Sequence, residues 1–434
     1  MKFESTRPGG QALPFREAVL RGYPADGGLF LPAGEADLRH AVYSPAASFQ
    51  ETIALAAGAL FPEELDPQKA AAVADLAFAA EPSAFAYGED LLVLDLARGP
   101  SASAADYGAA FAAAIVGDLL AAPGGGVAVA AAEGRDAAAL AAAFSAGPFP
   151  GASFAGGQGS SSRRGATPLV LLCPEEGLRG LRPSSRGGVI LLGVKGGLEA
   201  ACLLERKASG GRLGAAALVP LGAGTPARLA GRALLLVGLF ALARRGLSGD
   251  LLVSAPPSDG FGLATGLWAW SWGLPVSAFV VARPPAAPRL PGDSLAGFGL
   301  DPEAEELLAP FARDCPLGSL ALLVDVEAGA ARKEAAALAA AGGPGLDSGS
   351  ALGLAAARRA LNAGFGGHAR IVVPRFADPS WDDPASDPAE GTAEGAASAA
   401  AGPASLRAPN ALVEPDALVE PDFDSLLRTL SRLL

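Results

Sequence analysis

The chain is short of the residues from which most catalytic and metal sites are built. Two histidines, His40 and His368, and three cysteines, Cys173, Cys202 and Cys315, are scattered without ligand spacing, which argues against a zinc site. Unpatterned thiols fit a reducing compartment. Basic residues form no cluster and the net charge is −12, so neither nucleic acid nor an anionic membrane is an expected partner. The longest apolar run, ALLLVGLFALA (233–243), is too short to span a bilayer and is flanked by arginines, so it reads as a buried helix. The start, MKFESTRPGGQALPF, has no apolar signal core, and the expected location is the cytoplasm. No Gly-x-Ser-x-Gly elbow and no Walker sequence is present, which removes the usual hydrolase and nucleotidase signatures.

What the chain does have is apolar mass. Of its 434 residues, 50% are hydrophobic and 18% charged, enough for a large core. Residues 1–88 read as a small N-terminal unit with a turn at YPADGGLFLP (23–32), where Asp26-Gly27-Gly28 supplies positive-φ positions. Helical stretches follow around 47–60 and 68–80. From residue 89 to 383, short apolar runs alternate with helical stretches. The predicted strands are VLDL (93–96), VAVAAA (127–132), PLVLLC (168–173), VILLGV (189–194), LLVSA (251–255), SAFVVA (277–282), ALLVDV (321–326) and RIVVPRF (370–376). AAALAAAF (137–144) and ATGLWAWSW (264–272) are predicted helices. Such alternation implies a parallel sheet covered on both faces, with ligands at the Gly-rich turns that follow its strands. Residues 145–168 read as a mobile Gly/Ser-rich loop and 384–410 as a low-complexity linker. A C-terminal unit, 411–434, holds a doubled ALVEPD and an amphipathic helix capped by Asp424 or Ser425. The tryptophans of WAWSW (268–272) are read as core or subunit contacts rather than ligand platforms.

Several stretches, taken in order over roughly residues 1–380, resemble threonine synthase, a pyridoxal-phosphate (PLP) enzyme of fold type II. KFESTRPGG followed by FREAVLRGYPADGGLFLP (15–32) resembles that family's N-terminal signature. LARGPSASAADYG (96–108) resembles its lysine motif, AAEGRDAAALAAAF (131–144) its Ser-Gly-Asp-Thr-Gly helix start, and CPEEGLRGLRPSSRGGVILLGVKGGLEAAC (173–202) the strand pair that follows. PSDGFG (257–262) resembles its Ser-Gly-Asn-Phe-Gly phosphate loop. The resemblance implies a two-lobed α/β fold of open sheets, like the tryptophan synthase β subunit, with a small N-terminal domain. It also implies the family reaction, O-phosphohomoserine and water to threonine and phosphate.

The chemistry of that family needs a lysine that forms a Schiff base with PLP and later moves protons. Ala105 stands at its position, and Lys2, Lys69, Lys195, Lys207 and Lys333 lie in no comparable motif. Arg98 replaces the motif's histidine, whereas Gly99, Pro100, Asp106 and Gly108 remain as turn and helix-start residues, and Ser101 is read as a helix cap. Glu133 replaces the first hydroxyl of the helix start and repels an anion, an effect that Arg135 offsets in part. In the phosphate-loop stretch Ser258, Phe261 and Gly262 are kept, but Asp259 and Gly260 replace Gly-Asn and add a negative charge. Gly349 stands where the family's Asp-Pro-His-Thr-Ala stretch has its histidine. VPRFADPSW (373–381) lacks the histidine and hydroxyl that close the cofactor site. Arg228 of PARLAGR is kept and read as a helix arginine that is either solvated or in a salt bridge. The expectation is a catalytically inactive homologue with no catalytic residue and no PLP, acting as a binding or regulatory protein. Residues 258–262 would then be a vestigial phosphate loop for a small anionic ligand. Self-association or pairing with an active family member is the expected partnership. The alternatives are an active PLP-dependent threonine synthase using another base, which would hold PLP, and a small-anion-binding protein without it.

Overall fold

The computed structural model describes residues 1–434 except 35, 45–46, 90, 122–124, 146–166, 180–187, 245–250, 257–258, 284–301, 315–320, 365–369 and 379–411. The 384–410 linker, nearly all of the 145–168 loop, Ser258, His368 and Cys315 lie outside the described residues.

The chain begins with an antiparallel three-stranded sheet of Lys2–Ser5, Leu13–Pro14 and Phe30–Ala33. Asp26 organises its turn, accepting from Gly28 N at 2.9 Å and from Ser5 Oγ at 2.8 Å, while Gly27 takes φ +79°. Helix Phe49–Leu60 opens on a capping box between Ser48 and Glu51, and Pro67–Ala77 on an Asp66 cap with Pro67 at its first position, both standard ways to satisfy orphan amides. Phe15 stacks between Phe3 and Phe61 at 5.5 and 4.0 Å. These side chains belong to the same buried cluster as Phe111, Leu234 and Trp268. The N-terminal residues therefore share the main core of the molecule.

Two six-stranded sheets follow. In one, Arg212–Leu213, Ala216–Pro220, Gly126–Ala131, Leu169–Pro174, Val189–Val194 and Ala417–Val419 lie side by side in that order, parallel except for the first pair. In the other, the order is Ala321–Asp325, Ala278–Arg283, Leu251–Ala255, Arg370–Arg375, Leu91–Asp95 and Ser83–Ala86, parallel except for the last pair. Every predicted strand is present within one or two residues. The fold is α/β, with two mixed open sheets and a small N-terminal sheet.

The apolar run 233–243 belongs to a longer helix, Pro226–Arg244, of 19 residues. Its length would reach across a bilayer, but most of its surface is inside the protein. It crosses Ala105–Leu120 where Gly231 meets Gly108: a Cβ on Gly231 would lie 2.8 Å from Phe111 Cβ. Gly108 is thus kept for a helix crossing. Trp268 and Trp272 are buried in the core.

The doubled hexapeptide serves two pairings. Leu412–Val413 runs antiparallel to Leu178–Arg179, and Ala417–Val419 extends the first sheet parallel to Val189–Val194. Asp416 fixes that junction, accepting from Leu191 N and donating its own N–H to Leu191 O, each at 2.8 Å. The last helix spans Phe423–Leu433, and its cap is Asp422, not Asp424 or Ser425. The second strand ends at Val419, so the chain turns two residues earlier than the amphipathic pattern alone indicates.

Arg228 is fully buried and ion-paired with Asp136, and it donates to Leu221 O at 3.3 Å. It joins helix Gly134–Ser145 to helix Pro226–Arg244, so of the two expected environments, solvent or a salt bridge, the second is the one present. Removing one partner of such a pair strands the other charge. Asp136→Ala is expected to lower stability by about 3 kcal/mol, read as an earlier urea midpoint, with Asp136→Glu retaining more than half of it.

Glu205, also buried, accepts from Ala131 N at 2.8 Å, Gly222 N at 2.5 Å and the Tyr23 hydroxyl at 3.3 Å. Burial raises its pKa to about 7, against the lowering effect of the backbone bonds. The folded state thus holds a proton that the unfolded chain releases near pH 4.5. This group's contribution is complete below that pH and is lost as pH rises through 7. Glu205→Gln is expected to remove a fall in stability on the order of 3 kcal/mol between pH 5 and 8, measured as urea midpoints across that range.

Candidate functional site

The segment after strand Leu91–Asp95 is locked in place by its own backbone and by two neighbours. Asp106 folds back over Gly99, where no Cβ would fit, and both its oxygens accept Ser101 N at 3.1 Å. Burial raises the Asp106 pKa to about 6, opposed by these bonds. Ser101 does not cap the helix. Its hydroxyl lies 2.8 Å from Ser103 Oγ, and Ser103 Oγ accepts Ala105 N at 3.3 Å. Between them Ala102 takes φ +50°, the one positive φ outside glycine among the described residues, a conformation that costs a non-glycine residue about 1–2 kcal/mol. The Ala102 carbonyl is what the strain secures: it accepts from Arg135 Nη1 at 3.1 Å and from Asp378 N at 3.0 Å. Arg135 also donates to Asp378 O at 2.7 Å. Ala104 N donates to Phe376 O at 2.7 Å. Arg375 pairs with Asp95 at 2.7 Å and Asp378 at 3.2 Å. The stretches at 96–108, 131–144 and 373–378 are thereby held together. Glu133, just before that second helix, is exposed.

A cavity of about 240 Å³ opens beside this lock, at the C-terminal ends of strands Leu91–Asp95, Leu251–Ala255 and Arg370–Arg375, where open α/β sheets bind ligands. Ala105 is on its wall, with Asp259, Gly262, Asp347, Phe376 and Ala377. Described residues of the stretches at 96–108, 258–262 and 373–381, with Asp347 two positions before Gly349, therefore line one space although they lie far apart in the sequence. Arg232 completes the polar part of the wall.

At the start of helix Gly260–Ser271, Asp259 accepts Gly262 N at 3.0 Å and pairs with Arg232 at 2.8 Å. Its carboxylate occupies the space a Cβ on Gly262 would need. Helix N-termini are anion sites, and this one is filled from within. Gly260 and Phe261 form the first turn; Gly260 is buried and the Phe261 ring lies 5.8 Å from the Arg232 guanidinium. Asp347 caps helix Ser348–Asn362, accepting Ser350 N at 3.0 Å, the Ser350 hydroxyl and Ala377 N at 3.2 Å. Gly349, in the first turn of that helix, brings no side chain. The sequence pointed to neither Asp347 nor Arg232; their signal was the Asp-x-x-Ser cap and the second arginine of PARLAGR.

This wall does not match PLP held in the usual way. No lysine lines it. The Lys195 amine is half-exposed and bonded to Glu420 at 2.5 Å, and that of Lys69 to Asp118 at 3.2 Å. In the stretch that resembles the phosphate loop, the Asp259 carboxylate takes a helix amide, Gly262 N, at 3.0 Å. Among the described residues, no group of three or more histidine, cysteine or acidic side chains could hold a metal.

Residues 2–78 match the family model described as threonine synthase N terminus. No curated protein matches the sequence. Among solved structures, the chain is similar to threonine synthase from Escherichia coli at 18% identity, with 100% of both chains covered and a TM-score of 0.71. It is similar to PLP-bound threonine synthase from Brucella melitensis at 19% identity, with 100% of this chain and 99% of that one covered and a TM-score of 0.67. Threonine synthase from yeast follows the same pattern at 14% identity, 99% and 98% coverage and a TM-score of 0.70. The chain thus has the fold of the threonine synthases from end to end, and its first residues match that family's N terminus.

Proposed function

We propose that this chain is a non-catalytic relative of threonine synthase, a binding or regulatory protein that keeps the cavity and has lost the lysine chemistry. The observation that carries this reading is Ala105 on the wall of a cavity that no lysine lines. A methyl group has no lone pair to attack an aldehyde and no proton to give. The Asp259 cap supports the same reading, because a carboxylate at a helix terminus repels phosphate and already takes one of its amides, Gly262 N.

Incubation of the purified chain with PLP is expected to give no lysine-aldimine absorbance and no borohydride-trapped adduct. Expression in a threonine auxotroph is expected to give no growth without threonine. Ala105→Lys with Asp259→Gly, which restores an amine and frees the helix terminus, is expected to acquire the aldimine band, whereas Ala105→Lys alone binds PLP at least about tenfold more weakly. An aldimine band or threonine-independent growth with the unaltered chain overturns the reading and makes the chain an enzyme that uses another base.

A further inference from the structure

The cavity lined by Ala105 differs in chemistry from a site for a phosphorylated amino acid. Its walls are mainly Leu96, Leu235, Leu236, Leu239, Val253 and Phe279. Its charged side chains are Arg232, Asp259 and Asp347, one positive and two negative, so the wall carries no net attraction for an anion. Each charged side chain of the wall already has a partner within the protein. Asp259 holds Gly262 N and Arg232; Asp347 holds Ser350 and Ala377 N; Thr265 Oγ1 donates to Phe261 O at 2.9 Å; Ser103 is bonded to Ser101. Ser254 also lines the cavity, and its Oγ has no partner among the described residues, but it lies under Gly353, where a Cβ would come within 2.7 Å. That is the face of the strand opposite Val253. A polar guest would leave water and find its partners taken, at a cost of roughly 1–3 kcal/mol per unmatched group.

From this wall we infer that the cavity is a binding site for a small uncharged apolar molecule, of the size of a substituted benzene ring. The inference rests on the proposed loss of PLP chemistry, since cofactor and guest would share the space. The volume, about 240 Å³, exceeds the ~150 Å³ of an apolar cavity that takes benzene. A ring bearing one or two small substituents fits, and binding gains from removing its surface and that of the leucines from water.

The test uses the full-length chain with toluene, benzoate and inorganic phosphate as separate probes. Toluene is expected to bind saturably at roughly millimolar Kd and to raise Tm by about 1 °C at several-fold excess. Benzoate, the same ring with a charge, is expected to bind at least about tenfold more weakly, and phosphate to give no shift. Ala105→Phe, which puts a ring into the cavity, is expected to abolish the toluene shift. Ala104→Leu, a smaller intrusion on the same wall, serves if the first variant does not fold. Absence of toluene binding, or equal binding by a folded filled variant, overturns the inference. Benzoate or phosphate binding more tightly than toluene makes the cavity an anion site: this inference then fails and the non-catalytic reading stands. An aldimine band with PLP defeats that reading instead, whatever toluene does.

Discussion

The N-terminus of helix Gly260–Ser271 is the constraint on which the site turns. A helix offers only a few unpaired amides at its start, and they can serve one anion well. Here the anion is Asp259, tethered one residue away and paired with Arg232. An external phosphate must displace a covalently attached competitor and also break that ion pair. The cap therefore does two things at once: it stabilises the helix by about 1 kcal/mol, as such caps do, and it takes from the cavity the feature that would draw charged ligands. The apolar character of the remaining wall follows from that exchange.

The opposite wall is held by strain and hydrogen bonds rather than by any group that reacts. Ala102 sits in a conformation costly for alanine, and its carbonyl ties the Ala105 segment to Arg135 and Asp378. Gly99 and Asp106 form a clasp over Ser101 N, and Gly108 a helix crossing. Each of these residues belongs to the stretch that resembles the lysine motif, and each has a structural duty that needs no cofactor. Ala105 and Arg98 stand where that motif has its lysine and its histidine. Fold and chemistry are separable, and the boundary between them runs through this one loop.

Much of the fold was legible because buried parallel strands are short, unbroken apolar runs. VILLGV and LLVSA match their strands residue for residue. The antiparallel N-terminal strands were not legible, since Lys2–Ser5 and Leu13–Pro14 are too short and polar for a periodic signal. Arg228 looked like any helix arginine because burial and its Asp136 partner, 92 positions away, are long-range facts. Asp422 was overlooked as a cap because the doubled ALVEPD disguised where the strand ended. The site's composition could be read from motif order, but its character could not. Asp259 reads as a stray charge in a phosphate loop until the structure shows it filling the helix end.

The persistence of the cavity needs its own account. Apolar volume left unfilled forgoes packing that a larger side chain would supply, and this cavity measures about 240 Å³. Collapse is prevented by the frame: three strand ends and helices Ala105–Leu120 and Pro226–Arg244 fix the wall, the two helices being spaced by the glycine crossing, while the Arg228–Asp136 pair ties helix Gly134–Ser145 to the second of them. A larger side chain at 104, 105 or 377 would supply some of that packing, yet all three are alanine. A cavity held open by its frame and edged with small residues is what a site for a guest requires. The same alanines are a liability in a protein that has nothing to bind.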